Sequence, residues 1–406
     1  MLKVMWHFFV LGLYSFGGPA AHIGYFQREF VQKKKWLDEQ DFTQAVTLCQ
    51  FLPGPASSQL GMFIGYKQGG YLGALAAFVG FTFPSFLLLT FLAMGSQLYS
   101  DAPLIDTLIQ SAKLLAVIVV ADALWGMAKK NITDKLTLMV AGFTAVAVFF
   151  STGLLGQITP ILLAALLGYL LSFRAEDCVD TQPPQAIRPN FVLLGVFVLI
   201  LLLMPLTAQS SQWLTLFNVF YQAGSFVFGG GHVVLPLLEP MLNGMVESDT
   251  FLSAYASAQL VPGPMFTMAS FLGASYLTEY PVLGSLIATI AIFLPGNLLL
   301  FAFLPAWKAL FSHPRLKASI TLVNACVVGL LASALVKPVI MTSISSWGDA
   351  VIVVLVFLIL KYRNIPVWLL ITSLSVYKFV MLSVSNRILK YAFGGTHHSE
   401  TPILFI

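Results

Sequence analysis

Four apolar runs constrain this chain more than any other feature: Gly70 to Leu98, Leu136 to Phe150, Phe191 to Leu206 and Val282 to Pro305. Each carries one charge or none. A helix of about 20 apolar residues crosses a bilayer. The short segments of alternating polarity that a membrane β-barrel needs are absent. The runs therefore predict an all-α, polytopic membrane protein with the lipid bilayer as its first partner. Composition agrees: only 9% of residues are charged and 58% are hydrophobic, against roughly 25% charged in a soluble domain. A soluble enzyme, a disordered chain and a nucleic-acid binder are excluded. Cys49, Cys178 and Cys326 are far apart and suggest neither a metal motif nor a disulfide framework. The first apolar segment runs into FGGPAAH rather than a cleavage site, so it is expected to stay in the mature protein.

One long polar stretch, Arg174 to Asn190, carries three prolines and mixed charge and reads as a linker. On either side of it the same landmarks recur. Phe16-Gly17-Gly18 returns as Phe228-Gly229-Gly230, and Gln50 to Pro55 (QFLPGP) as Gln259 to Pro264 (QLVPGP). Pro84 returns as Pro295, and Asp122-Ala123-Leu124 sits opposite Ser333-Ala334-Leu335. The offset stays between 209 and 212 residues throughout. This predicts two homologous halves, 1–173 and 211–390. A linker and an unpaired connecting helix join them over 174–210, and a polar tail follows over 391–406.

Charge separates the halves. After the first FGG come Arg28 and Lys33-Lys34-Lys35; after the second come Glu239, Glu247 and Asp249. Asp101 and Asp106 follow the Pro84 run, whereas Lys308, Arg315 and Lys317 follow the Pro295 run. Basic loops stay in the cytoplasm, so equivalent loops are expected on opposite faces, as in an inverted-topology repeat. Two threadings satisfy the repeat. In one, each FGG and each PGP segment is a hairpin that enters and leaves on one face. In the other both cross fully, giving 13 spans and placing Lys33 to Lys35 outside.

The FGG and PGP segments are unsuited to plain membrane helices. Proline removes a backbone donor, glycine lets other groups approach, and unwound backbone at membrane depth must line a cavity or be buried in protein. A helix resuming after such a break offers free N–H groups and a positive dipole end, an anion site without many buried cations. Paired breaks in two halves point to a transport site. The candidate site residues are Gly17, Gly18, Gln50, Gly54, Ser57 and Ser58 in the first half. In the second they are Gly229, Gly230, Gly231, His232, Gln259, Gly263 and Thr267. The Ser57 and Ser58 hydroxyls can donate to an oxyanion or cap their helix. Lys113, an ionisable residue inside an apolar helix, is a functional candidate by default; the alternative is snorkelling or a pair with Asp106. Its repeat equivalent is Asn324. His7, His22 and Trp6 read as packing residues. No Walker A sequence, HExxH or hydrolase elbow is present, so neither ATP hydrolysis nor enzyme catalysis is expected, and no cofactor or metal is implied.

FGGPAAHIGYFQREFVQKKKWL, DFTQAVTLCQFLPGP and GYKQGGYLGALAAFVGFTFPS resemble the N-terminal half of chromate ion transporters. FGGGHVVLPLLEP, AQLVPGPMFTMASFLGA and VNACVVGLLASAL resemble their C-terminal half. The resemblance implies a secondary carrier in the inner or plasma membrane that exports chromate, with sulfate as a structural analogue. Many members have an acidic residue directly after the first PGP, where this chain has Ala56-Ser57-Ser58. The expected partner is a small tetrahedral oxyanion; a homodimer stays open, as does an anion channel built on the same breaks.

Overall fold

The computed structural model describes residues 1–98, 103–151, 154–175, 188–228, 231–306, 314–362 and 369–381. Gly229, Gly230, Asp101, Lys308, Cys178 and the 391–406 tail lie outside them. The described residues are helical, with no strand among them. Among the described residues, five helices are long and apolar enough to cross a membrane.

The first half opens with α1 (Leu2–Tyr14) and α2 (Gly18–Phe26), which a π-turn extends to Lys33. Gly17 caps α2 and Pro19 sits in its first turn, where the missing N–H costs nothing. The two helices fold back on each other. Phe8 of α1 packs its ring on Phe26 and Phe30, and His7 meets Trp36. Next come α3 (Glu39–Phe51) and α4 (Ala56–Leu98). Non-helical backbone at Gly69 and Gly70 divides α4 into a short and a long arm. Lys67 near the end of the short arm pairs with Asp41 at the start of α3 at 2.8 Å, and Gln68 donates to the Trp36 carbonyl. So α3 and the short arm form a second hairpin, opening on the same face as the first. Both FGG and PGP segments are thus turning points, and of the two threadings the structure has the hairpin one. The long arm then crosses to the other face.

Three helices complete this half: α5 (Pro103–Asn131), α6 (Lys135–Phe150) and α7 (Leu154–Ala175). Asp134 starts α6 with a capping box on Thr137. The backbone hydrogen bond from Thr137, with one from its hydroxyl, holds the Asp134 carboxyl below its ordinary pKa. The connecting helix α8 (Phe191–Thr207) has no buried residue, as a lipid-facing helix requires. The second half repeats the first: α9 (Gln212–Phe226), α10 (Val234–Leu242), α11 (Ser248–Leu260), α12 (Met268–Tyr276), α13 (Pro281–Phe303) and α14 (Pro314–Ala334). It ends with α15 (Trp347–Tyr362) and α16 (Leu369–Met381). Here α12 and α13 correspond to the two arms of α4.

Equivalent contacts recur in both halves. A Cβ on Gly12 would lie 2.7 Å from the Phe81 carbonyl, and one on Gly224 2.2 Å from that of Ile292. Gly65 meets Gly73 as Gly273 meets Gly284. Small residues at these crossings let helix backbones touch, which is how membrane helices associate without a hydrophobic driving force.

A single cysteine at Lys34 is therefore expected to react with an impermeant maleimide only from the cytoplasmic face. One at Asn243, exposed past the end of α10, should react only from the other. Labelling of both from one face would end the inverted-repeat description.

Candidate functional site

The two PGP turns meet the opposite halves at the centre of the fold. The Gly54 N–H donates to the Val227 carbonyl at 2.7 Å, and the Gly263 N–H donates to the Ser15 carbonyl at 2.9 Å. Val227 and Ser15 each immediately precede an FGG segment, so the exchange is reciprocal. Unwound backbone in a membrane must find partners, and here each half supplies the acceptor the other lacks. Gln59, fully buried, reinforces the first joint by donating to the carbonyls of Pro53 at 3.0 Å and Gly296 at 2.8 Å.

These bonds alter what the breaks can offer. The Gly54 and Gly263 N–H groups are already committed across the halves. In the first turn of α4, Ser58 and Gln59 both donate backbone N–H to the Pro55 carbonyl. That leaves the N–H groups of Ala56 and Ser57 without a partner among the described residues. The Ser58 hydroxyl is buried and also without one.

Beside this helix end lies a cavity of about 620 Å³. Gly54 and Ala56 form its inner end, Gln50 and Thr47 one wall, and Thr321 and Asn324 of α14 the other. Lys130, near the end of α5, and Lys317, near the start of α14, also line it. The Lys130 ammonium lies 3.4 Å from the Gln50 side-chain oxygen. Asn324 turns a buried, unpartnered Oδ1. Among the described residues, none that lines the cavity is acidic. Two lysines with low-dielectric walls raise the local concentration of anions, and the helix end beyond them presents donors and a positive dipole.

Of the candidates named from sequence, Gln50, Gly54 and Asn324 line this cavity, with Ser57 and Ser58 in the helical turn beyond it. Three second-half candidates are engaged elsewhere. His232 meets the Tyr255 hydroxyl at 2.8 Å, the Gln259 amide donates to the Met265 sulfur, and the Thr267 hydroxyl caps its own turn on the Pro264 carbonyl. Met265 fills the space beneath Gly231. Its first-half equivalent is Ala56, whose small side chain leaves the cavity open. Gly17 and Gly18 shape the α1–α2 turn.

Lys113 is buried and pairs with Asp249, in the first turn of α11, at 2.5 Å. This carboxylate partner comes from the other half; the side chain of Asp106, the partner weighed from sequence, lies outside what the structure describes. Asp122, nine positions on, pairs separately with Lys361 at 2.9 Å. In sequence, Lys130 and Lys317 are only basic residues near the ends of apolar runs. Their proximity to a PGP turn in space is a tertiary fact with no local signal.

Two halves of broken hairpins, joined through their PGP turns with a basic cavity beside one of them, define a multi-pass membrane transport protein. Residues 2–170 and 214–379 each match the family model described as chromate transporter, and the chain belongs to that family. It is 26% identical over 395 residues to an uncharacterized transporter of Methanocaldococcus jannaschii, covering 94% of each chain. It is 28% identical to a probable chromate transport protein of Synechococcus elongatus, over 81% of this chain and 82% of that one. It is 27% identical to a chromate transport protein of Cupriavidus metallidurans, over 89% and 88%. No solved structure matches the chain.

Proposed function

We propose that this protein is a secondary carrier of the cytoplasmic membrane that exports chromate, with sulfate as the competing analogue. The observation that carries this reading is the cavity between the Lys130 and Lys317 ammonium groups and the free N-terminal turn of α4, with no acidic residue among its described lining. A tetrahedral dianion would enter past the lysines and be held by the Ala56 and Ser57 N–H groups, the Ser57 and Ser58 hydroxyls, and the amides of Gln50 and Asn324. Basic segments put the cavity mouth in the cytoplasm. An inside-negative potential then favours export by about 4.6 kcal/mol per 100 mV for two charges. Paired broken helices in an inverted repeat support a carrier over a channel, because that architecture is typical of secondary transporters.

Uptake of labelled chromate and sulfate into inside-out vesicles tests this. Uptake should saturate, speed up when the lumen is made positive, and show counter-transport. Linear flux without counter-transport would indicate a channel, and absence of chromate flux would remove the substrate assignment.

A further inference from the structure

The two halves share a fold but not a conformation. In the second half, α11 packs on α5. The equivalent helices, α3 and α14, have no comparable packing and stand apart across the cavity. At the α5–α11 contact, Lys113 pairs with Asp249. At the open counterpart stands Asn324, its Oδ1 unpartnered, and the equivalent of Asp249 is the exposed Gln40. Met265 fills the outer turn where Ala56 leaves the inner one open.

Resting on the carrier reading above, we propose that Lys113 and Asp249 form the outer gate, and that the substrate dianion opens it by replacing Asp249 on the Lys113 ammonium. The outward-open state then has the two halves exchanging conformations: α5 and α11 part while α14 closes on α3. The physical reason for load dependence is the cost of leaving a lysine unpaired within the membrane. With no anion bound, Asp249 neutralises Lys113, and the outer side stays shut. An anion delivered from the inner cavity takes over that role and frees the carboxylate, whose side chain is 54% exposed and readily hydrated. As the anion leaves, Asp249 returns to Lys113 and closes the path. Lys113 belongs to the first half and Asp249 to the second, so the gate joins the two halves.

The test uses the full chain with Cys49, Cys178 and Cys326 replaced by alanine and a reporter cysteine, Gln110→Cys, at the outer equivalent of the cavity residue Thr321. An impermeant maleimide is applied from outside. The reporter should react slowly at rest. Asp249→Asn should speed it on the order of tenfold, within the range of a coupling between two states. The charge-reversed variant Lys113→Asp/Asp249→Lys should return it to the slow rate. An unchanged rate in Asp249→Asn, or a charge-reversed pair as fast as Asp249→Asn, overturns the gate. If neither variant reaches the membrane, Asp249→Glu and Asp249→Ser serve instead in the same reporter background. The charge-retaining Asp249→Glu should keep the reporter slow and the neutral Asp249→Ser should speed it, whereas equal rates in the two overturn the proposal. Labelling needs no chromate, so a normal labelling pattern without chromate flux would refute the substrate and leave the gate standing.

Discussion

Gly54→Ala is expected to abolish transport and to lower the thermal stability of the protein in detergent, and Gly263→Ala to do so less severely. Both glycines sit at positive φ, +115° and +111°, where a Cβ costs roughly 1–2 kcal/mol. The Gly54 Cβ would also lie 2.8 Å from the Gly296 Cα, which is backbone and cannot turn aside. Overpacking of that kind adds about 1–3 kcal/mol. At Gly263 the obstacle is the Ser85 Oγ at 2.8 Å, a side-chain atom that can rotate away. The difference between the two variants is therefore itself a prediction. Gly263→Ala/Ser85→Gly should regain stability, and no single neighbour change should rescue Gly54→Ala to the same degree. A melting curve of the purified protein, read beside vesicle flux, checks both. If Gly54→Ala kept its full stability and lost only transport, the turn would serve anion approach rather than the joint between the halves.

That distinction marks how far the sequence reached. Recurrence of FGG, PGP and the kinking prolines at a constant offset made the two halves legible, because each landmark has a backbone consequence that shows in the residues themselves. The hairpins were less legible. Leu2–Tyr14 and Gly18–Phe26 together have the length of one membrane span, and only the turn at Gly17 and the packing of Phe8 on Phe26 and Phe30 reveal the return. At the cavity, Gly54 and Gln50 could be named because a broken helix at membrane depth is unusual wherever it occurs, and Asn324 because it is the repeat equivalent of Lys113. The commitment of the Gly54 N–H to Val227, and the pairing of Lys113 with Asp249, could not be read. Both are contacts between halves, set by how the two hairpins interlock, and neither residue's neighbours in sequence carry a trace of it.

Lys113→Ala is expected to lower saturable chromate flux by one to two orders of magnitude while leaving the protein folded in the membrane. One charge-assisted contact is worth roughly 1.5–3 kcal/mol, which sets that range. Folding should survive because the partner left behind, Asp249, has a side chain that is 54% exposed and can hydrate in place. Lys113→Arg should keep part of the flux, since the cation remains but its planar, forked geometry differs from an ammonium. The decisive variant is Lys113→Ala/Asp249→Ala. If Lys113 did no more than neutralise Asp249, removing both charges would restore transport, because no unpaired group would remain. If instead the anion must reach Lys113 to open the outer side, the double variant lacks the one cation that can exchange a carboxylate for a substrate, and its flux should stay as low as in Lys113→Ala. Low flux in the double variant is the expected result. Recovery would leave anion recognition to the first turn of α4 with Lys130 and Lys317, and would confine Lys113 to holding two helices together.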